Sequence, residues 1–129
     1  MFNWLFPVET VHFILGFLGC WLWPDVVVKT YTLYPDVDTD EQTYEFINVI
    51  TSFYFSFVLM LVLATKYDRL KGYVSFVLLA FYSSLVMRDI TDIITVGYES
   101  NWYNRVMDTS VHVIGAILHF YNLFPFTLQ

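Results

Sequence analysis

The chain has 129 residues and a formal charge of −6, and it is 57% apolar, 21% aromatic and only 14% charged. Soluble domains are usually about 45–50% apolar and about 25% charged, so this chain cannot cover its apolar surface in water, and it reads as an integral membrane protein. Six Lys plus Arg exclude a basic nucleic-acid stripe, and a single cysteine, Cys20, excludes an internal disulfide framework or a multi-thiolate metal site.

The first predicted helix runs from Trp4 to Trp23, with Pro7 in its opening turn, where proline is tolerated. Tryptophans stand at both of its ends, as interfacial aromatics do. No basic residue precedes this run and no A-x-A-like site follows it, and "FLGC" (17–20) lacks a lipoprotein signal's basic region. The helix is therefore expected to stay in the mature protein, with Cys20 acting as a small hydrophobe. The connection "PDVVVKTYTLYPDVDTDEQT" (24–43) is long and acidic. Its "DVDTDE" (36–41) starts like a calcium loop, but Glu41 stands where glycine is needed and Ile47 where the bidentate glutamate belongs. An acidic surface loop capping the second helix is the expectation.

The second predicted helix runs from about Tyr44 to Thr65, and the short basic "KYDRLKG" (66–72) follows it. The third runs from Tyr73 to about Val96, then the turn-rich "GYESNWYNR" (97–105). The fourth runs from about Val106 to Leu123 and stops before Pro125. About 20 apolar residues cross the hydrocarbon core, and each segment is about that long. The predicted fold class is all-α: one transmembrane domain over 1–129, a four-helix bundle in up-down-up-down order with spans 4–23, 44–65, 73–96 and 106–123. Lys66, Arg69 and Lys71 on one side outnumber Lys29 and Arg105 on the other, which puts both termini on the cytoplasmic side, or the matrix side of an organelle.

Residues three and four apart share a helix face, and each predicted helix carries a polar or small stripe at that spacing. The stripes are Glu9, His12, Gly16, Gly19; Glu45, Asn48, Ser52, Ser56; Ser84, Arg88, Asp92, Thr95; and Asp108, His112, Gly115, His119. In lipid, small residues allow close helix packing and polar ones bond across helices, while ionisable groups face the bundle interior or a wet cavity. All four stripes are therefore expected to point inward, with Arg88 and Asp92 one turn apart and able to pair.

Depth sorts these groups into two layers. At 1.5 Å per residue, Asp92, His112 and Arg88 lie roughly 6, 9 and 12 Å in from the acidic side. Glu45, Asn48, Asp89 and Asp108 join them as candidates for a ligand or ion pocket. The second layer holds Glu9, His12 and His119. "ETVH" (9–12) has the Glu-x-x-His spacing of di-iron bundles, but those need two such motifs and two further glutamates. His12 and His119 fall at similar depth, the arrangement of a bis-histidine haem; with three histidines in the chain, coincidence is the better reading. No metal, cofactor or catalytic set is expected, because neither a nucleophile elbow nor a phosphate loop is present.

"HFILGFLGCWLWPD" (12–25) resembles the first helix of small four-helix membrane proteins of the DoxX-like group, a glycine-bearing helix that ends at a proline. "RDITDIITVGYESNW" (88–102) is similar to the polar end of their third helix and its glycine turn. The resemblance implies the four-helix architecture, and no functional residue is carried over from it. The expected function is that of a non-enzymatic accessory or assembly component, with the lipid bilayer, other membrane subunits or a second copy of itself as partners. The alternative is a bundle that binds a lipophilic ligand, or passes protons or ions, through Arg88, Asp89, Asp92 and His112.

Overall fold

A computed structural model describes residues 2–31, 40–96 and 102–124, and these are helical with no strand among them. The helices are α1 (Leu5–Leu22), α2 (Pro24–Tyr31), α3 (Glu41–Lys66), α4 (Lys71–Val96) and α5 (Trp102–Leu123), with a 3-10 turn, Asp68–Leu70, between α3 and α4. Most of the acidic 36–41 segment and the 97–101 turn lie outside the described residues, as do the side chains of 102–105.

Local chemistry sets these boundaries. Pro7 sits where the first-turn N–H groups have no intrahelical acceptor anyway, so its missing donor costs nothing. At the other end of α1 the Trp23 N–H closes on the Gly19 carbonyl at 2.9 Å, and Pro24, with no N–H, cannot continue the ladder. Pro24 instead opens α2, so the segment read as loop begins with a short helix. Proline's fixed φ suits a first helical position, with Asp25 in the first turn and Lys29 in the last, matching the helix dipole. The Tyr44 hydroxyl donates to Asp25 and ties α2 to α3. Asp40 caps α3, its Oδ1 accepting from the Thr43 N–H at 2.8 Å and the Thr43 hydroxyl at 2.6 Å. That cap starts the helix at Glu41, ahead of the expected Tyr44.

The long helices form two antiparallel pairs, α1 with α3 and α4 with α5. Each pair closes on a glycine. A Cβ on Gly16 would stand 2.8 Å from the Tyr54 ring, and one on Gly115 would stand 2.8 Å from the Tyr82 ring. Between the pairs lies a core of Phe6, Phe13, Phe57, Leu61, Leu78 and Tyr82. Its rings interlock, with Phe57 4.6 Å from Phe81 and 5.1 Å from Phe13 between centroids. A smaller cluster, Cys20, Val28 and Ile47, seats α2, and Cys20 is buried there as expected.

α1, α3 and the stretch Asp68–Thr95 are long and apolar enough to cross a membrane by length and composition. α5 is not among them, because it carries Asp108, His112, His119 and Asn122 within its length. Large side chains face outward around the molecule, with Phe76 65% and Ile94 77% exposed, as suits a chain solvated by lipid.

The α3 stripe departs from expectation. Glu45, Asn48, Ser52 and Ser56 are all exposed, and the buried face is Ile47, Phe57, Leu61 and Ala64. Ser52 and Ser56 donate to the carbonyls of Asn48 and Ser52, one turn back, so their hydroxyls are satisfied without an interior. Inward space is taken by bulkier residues, which gain dispersion contacts that serine cannot supply.

Candidate functional site

Polar side chains do line the interior, but on faces that differ in part from those expected. On α5 the stripe holds as read: His112, Gly115 and His119 are buried and Asp108 half-buried. On α4 the inward face is Lys71, Ser75, Leu78, Tyr82 and Asp89, rather than Ser84, Arg88, Asp92 and Thr95. Only Asp89 of the three charges in "RDITD" is buried. The Arg88 side chain is 56% exposed and that of Asp92 33%. Their three-residue clustering hid which one the packing would turn inward.

The first level sits toward the α2 end of the molecule. Asp89 Oδ2 meets His112 Nδ1 at 2.7 Å, and Asp108 Oδ1 lies 3.4 Å from His112 Nε2. Arg88 Nη2 donates to Asp89 Oδ1 at 2.9 Å, lies 3.7 Å from Asp108, and its Nε is 3.9 Å from Asp92. Five of the seven residues expected here therefore converge, all from α4 and α5. Glu45 and Asn48 do not join them, because they lie on the outer face of α3.

A cleft between α4 and α5 adjoins this level, lined by Ile93, Val106, Thr109, Ser110, Val113 and Ile114, with a volume of about 420 Å³. Ile93, Thr109 and Val113 are the chain neighbours of Asp92, Asp108 and His112, which puts the cleft and the charged cluster at the same depth, while the cleft's own lining holds none of the charged residues. The cleft is open to the surface, with Val106, Ser110, Val113 and Ile114 exposed along it.

The second level lies in the middle of the core. His119 Nε2 and Glu9 Oε2 are 2.8 Å apart and both residues are buried. The Tyr82 hydroxyl interacts with the same carboxylate, and its ring stacks on His119 with centroids 5.9 Å apart and 18° between planes. His12 is not part of this level. It is exposed on α1 while His119 has no exposed surface, so the haem-type pairing of His12 with His119 is not formed. The spacing 9, 12, 16 describes one α1 face, and packing selected the neighbouring one through Phe6, Glu9 and Phe13.

A third level was not anticipated. Asn122 Nδ2 donates to Ser75 Oγ at 3.4 Å, and the Phe2 N–H donates to Asn122 Oδ1 at 2.6 Å. The Lys71 ammonium, read as part of a basic loop, is buried and donates to Asn3 at 2.9 Å and to Asp68 at 2.5 Å. Asn122 extends the α5 spacing by three residues and was legible in principle. Ser75 and Tyr82 carried no signal among so many serines and aromatics.

The chemistry differs by level. The second pairs His119 Nε2 with Glu9 deep in the core and leaves His119 Nδ1 without a partner, and the third reaches from buried Lys71, Ser75 and Asn122 out to exposed Asn3 and Asp68. The first gathers three carboxylates, a guanidinium and an imidazole with both nitrogens facing carboxylates, at the depth of the α4–α5 cleft, which together suit a bound molecule. Compared with family models, curated proteins and solved structures, the chain matches none.

Proposed function

We propose that the chain is a four-helix, multi-pass transmembrane bundle with both termini on the side of the basic turn. On this reading the α4–α5 end binds a lipophilic molecule with a hydrogen-bond-donating head. The observation that carries it is the charged cluster gathered where α4 and α5 meet, with a cleft formed by the same two helices at the same depth. The cleft takes an alkyl chain, and Asp89, Asp92 and Asp108 accept from a hydroxyl or amine head. α5 then crosses the membrane with its polar stripe turned onto α4 and α1, so that only its outer, apolar side meets lipid.

Photolabelling tests this directly. A long-chain alcohol or amine bearing a diazirine in its tail should label peptides containing Ile93 and residues 106–114, and Asp108→Asn should reduce that labelling. Labelling spread evenly over exposed positions such as Phe53 and Phe76 would contradict the reading.

A second reading, an accessory component of a membrane complex, is favoured by the outward polar face of α3. The Asn48 side chain is exposed on a helix otherwise suited to lipid, and amides of this kind bond across membrane helices. Asn48→Leu should then release a partner subunit or a second copy from the mildly extracted protein. An unchanged assembly state would count against it.

A further inference from the structure

We infer that Asp89, Asp108 and His112 form a binding site for a divalent transition-metal ion. Each residue offers a donor atom within 4.8 Å of the others. Asp108 and His112 lie one turn apart on α5, on the same face, and Asp89 approaches from α4. The donors come from two helices fixed against each other by the Gly115–Tyr82 contact, so they are held by the fold rather than by loops.

Two further features point to a cation here. The cluster holds three carboxylates, Asp89, Asp92 and Asp108, against one guanidinium. An excess of negative charge in a low-dielectric site calls for a counter-charge. The second feature is His112 itself. Its Nδ1 lies 2.7 Å from Asp89 and its Nε2 3.4 Å from Asp108, so each ring nitrogen faces a carboxylate. A metal ion taking the place of the proton at either nitrogen would meet a carboxylate there, the pairing that metal-binding imidazoles use.

Arg88 is the cation now serving all three carboxylates, and it is the most exposed member of the group. Its side chain can swing outward and surrender Asp89 and Asp108 to a metal. An imidazole with two carboxylates suits zinc, cobalt, manganese or iron(II) rather than magnesium or calcium, which prefer all-oxygen shells. Three protein ligands leave a coordination position open, as in catalytic rather than structural metal sites. The inference shares its site with the amphiphile reading but does not rest on it.

The test is titration of untagged, chelator-stripped protein in detergent with cobalt(II), followed by visible absorption and calorimetry. One ion per chain is expected, with affinity falling about tenfold or more in His112→Ala and Asp108→Asn, and rising in Arg88→Gln because a competing cation is removed. Wild type without saturable one-to-one binding would overturn the inference, whatever the variants do. So would an unchanged spectrum and stoichiometry in His112→Ala, or weaker binding in an Arg88→Gln variant that keeps its helical circular dichroism. Photolabelling of the cleft without cobalt binding would sink this inference alone, and cobalt binding without labelling would sink only the amphiphile reading.

Discussion

Glu9 of α1 and His119 of α5 lie 2.8 Å apart across 110 residues of chain. This contact joins one helix pair to the other through the centre of the core. Glu9→Leu would strand a fully buried imidazole nitrogen, and leaving a buried polar group without its partner costs about 1–3 kcal/mol. Glu9→Gln keeps an acceptor for His119, and hydrogen bonds between membrane helices average about 0.6 kcal/mol with a maximum of about 1.7. The expected order in denaturant unfolding is therefore wild type, Glu9→Gln close behind, and Glu9→Leu lowest. Equal losses in the two variants would show that the hydrogen bond is not what matters at this position.

Gly115 and Gly16 play one role in the two helix pairs, each admitting a tyrosine ring to van der Waals contact with backbone. A methyl group at Gly115 would stand 2.8–2.9 Å from three atoms of the Tyr82 ring, so the ring or the helix must move. Overpacking of this kind costs about 1–3 kcal/mol. Because Tyr82 also touches Glu9 and His119, Gly115→Ala should disturb the core, whereas Gly72→Ala, which meets nothing within 4 Å, should not. Thermal unfolding in detergent compares the two, and an equal effect would contradict the packing account.

Much of this was readable in the amino-acid order, and the failures share one cause. Helical spacing identifies a face but not the direction in which it points. On α5 the Asp108, His112, Gly115, His119 stripe was unambiguous, because the remaining faces are apolar. On α3 the serines formed an equally regular stripe, yet Phe57 and Leu61 won the interior and Ser52 and Ser56 closed onto their own backbone. In "RDITD" three charges within five residues cover more than one face, so spacing favoured Arg88 and Asp92 while packing chose Asp89. The partnership of Tyr82 with Glu9 depends on how two helix pairs meet, which no local pattern records.

The α3 cap has a pH dependence of definite sign. The Thr43 hydroxyl, and then its backbone N–H, hold the Asp40 carboxyl below its ordinary value. A folded value lower than the unfolded one means the cap's contribution is fully present above the ordinary carboxylate value, about 3.9. It is lost as pH falls from there through the depressed value. The Thr43 amide resonance should therefore hold steady down to about pH 4 and shift below it. In Asp40→Asn, which caps without titrating, that shift should vanish; its persistence would assign it to another group.

The central claim is that the charges on α4 and α5 form a site for a bound molecule instead of serving only to hold the fold together. Native mass spectrometry of the protein extracted mildly from its own membrane, beside Arg88→Gln and Asp108→Asn, tests it most directly. The account predicts a small amphiphile retained by wild type and lost or exchanged in variants that still fold. Wild type carrying no small molecule, with both variants failing to accumulate, would mean the cluster is purely structural and would contradict the claim.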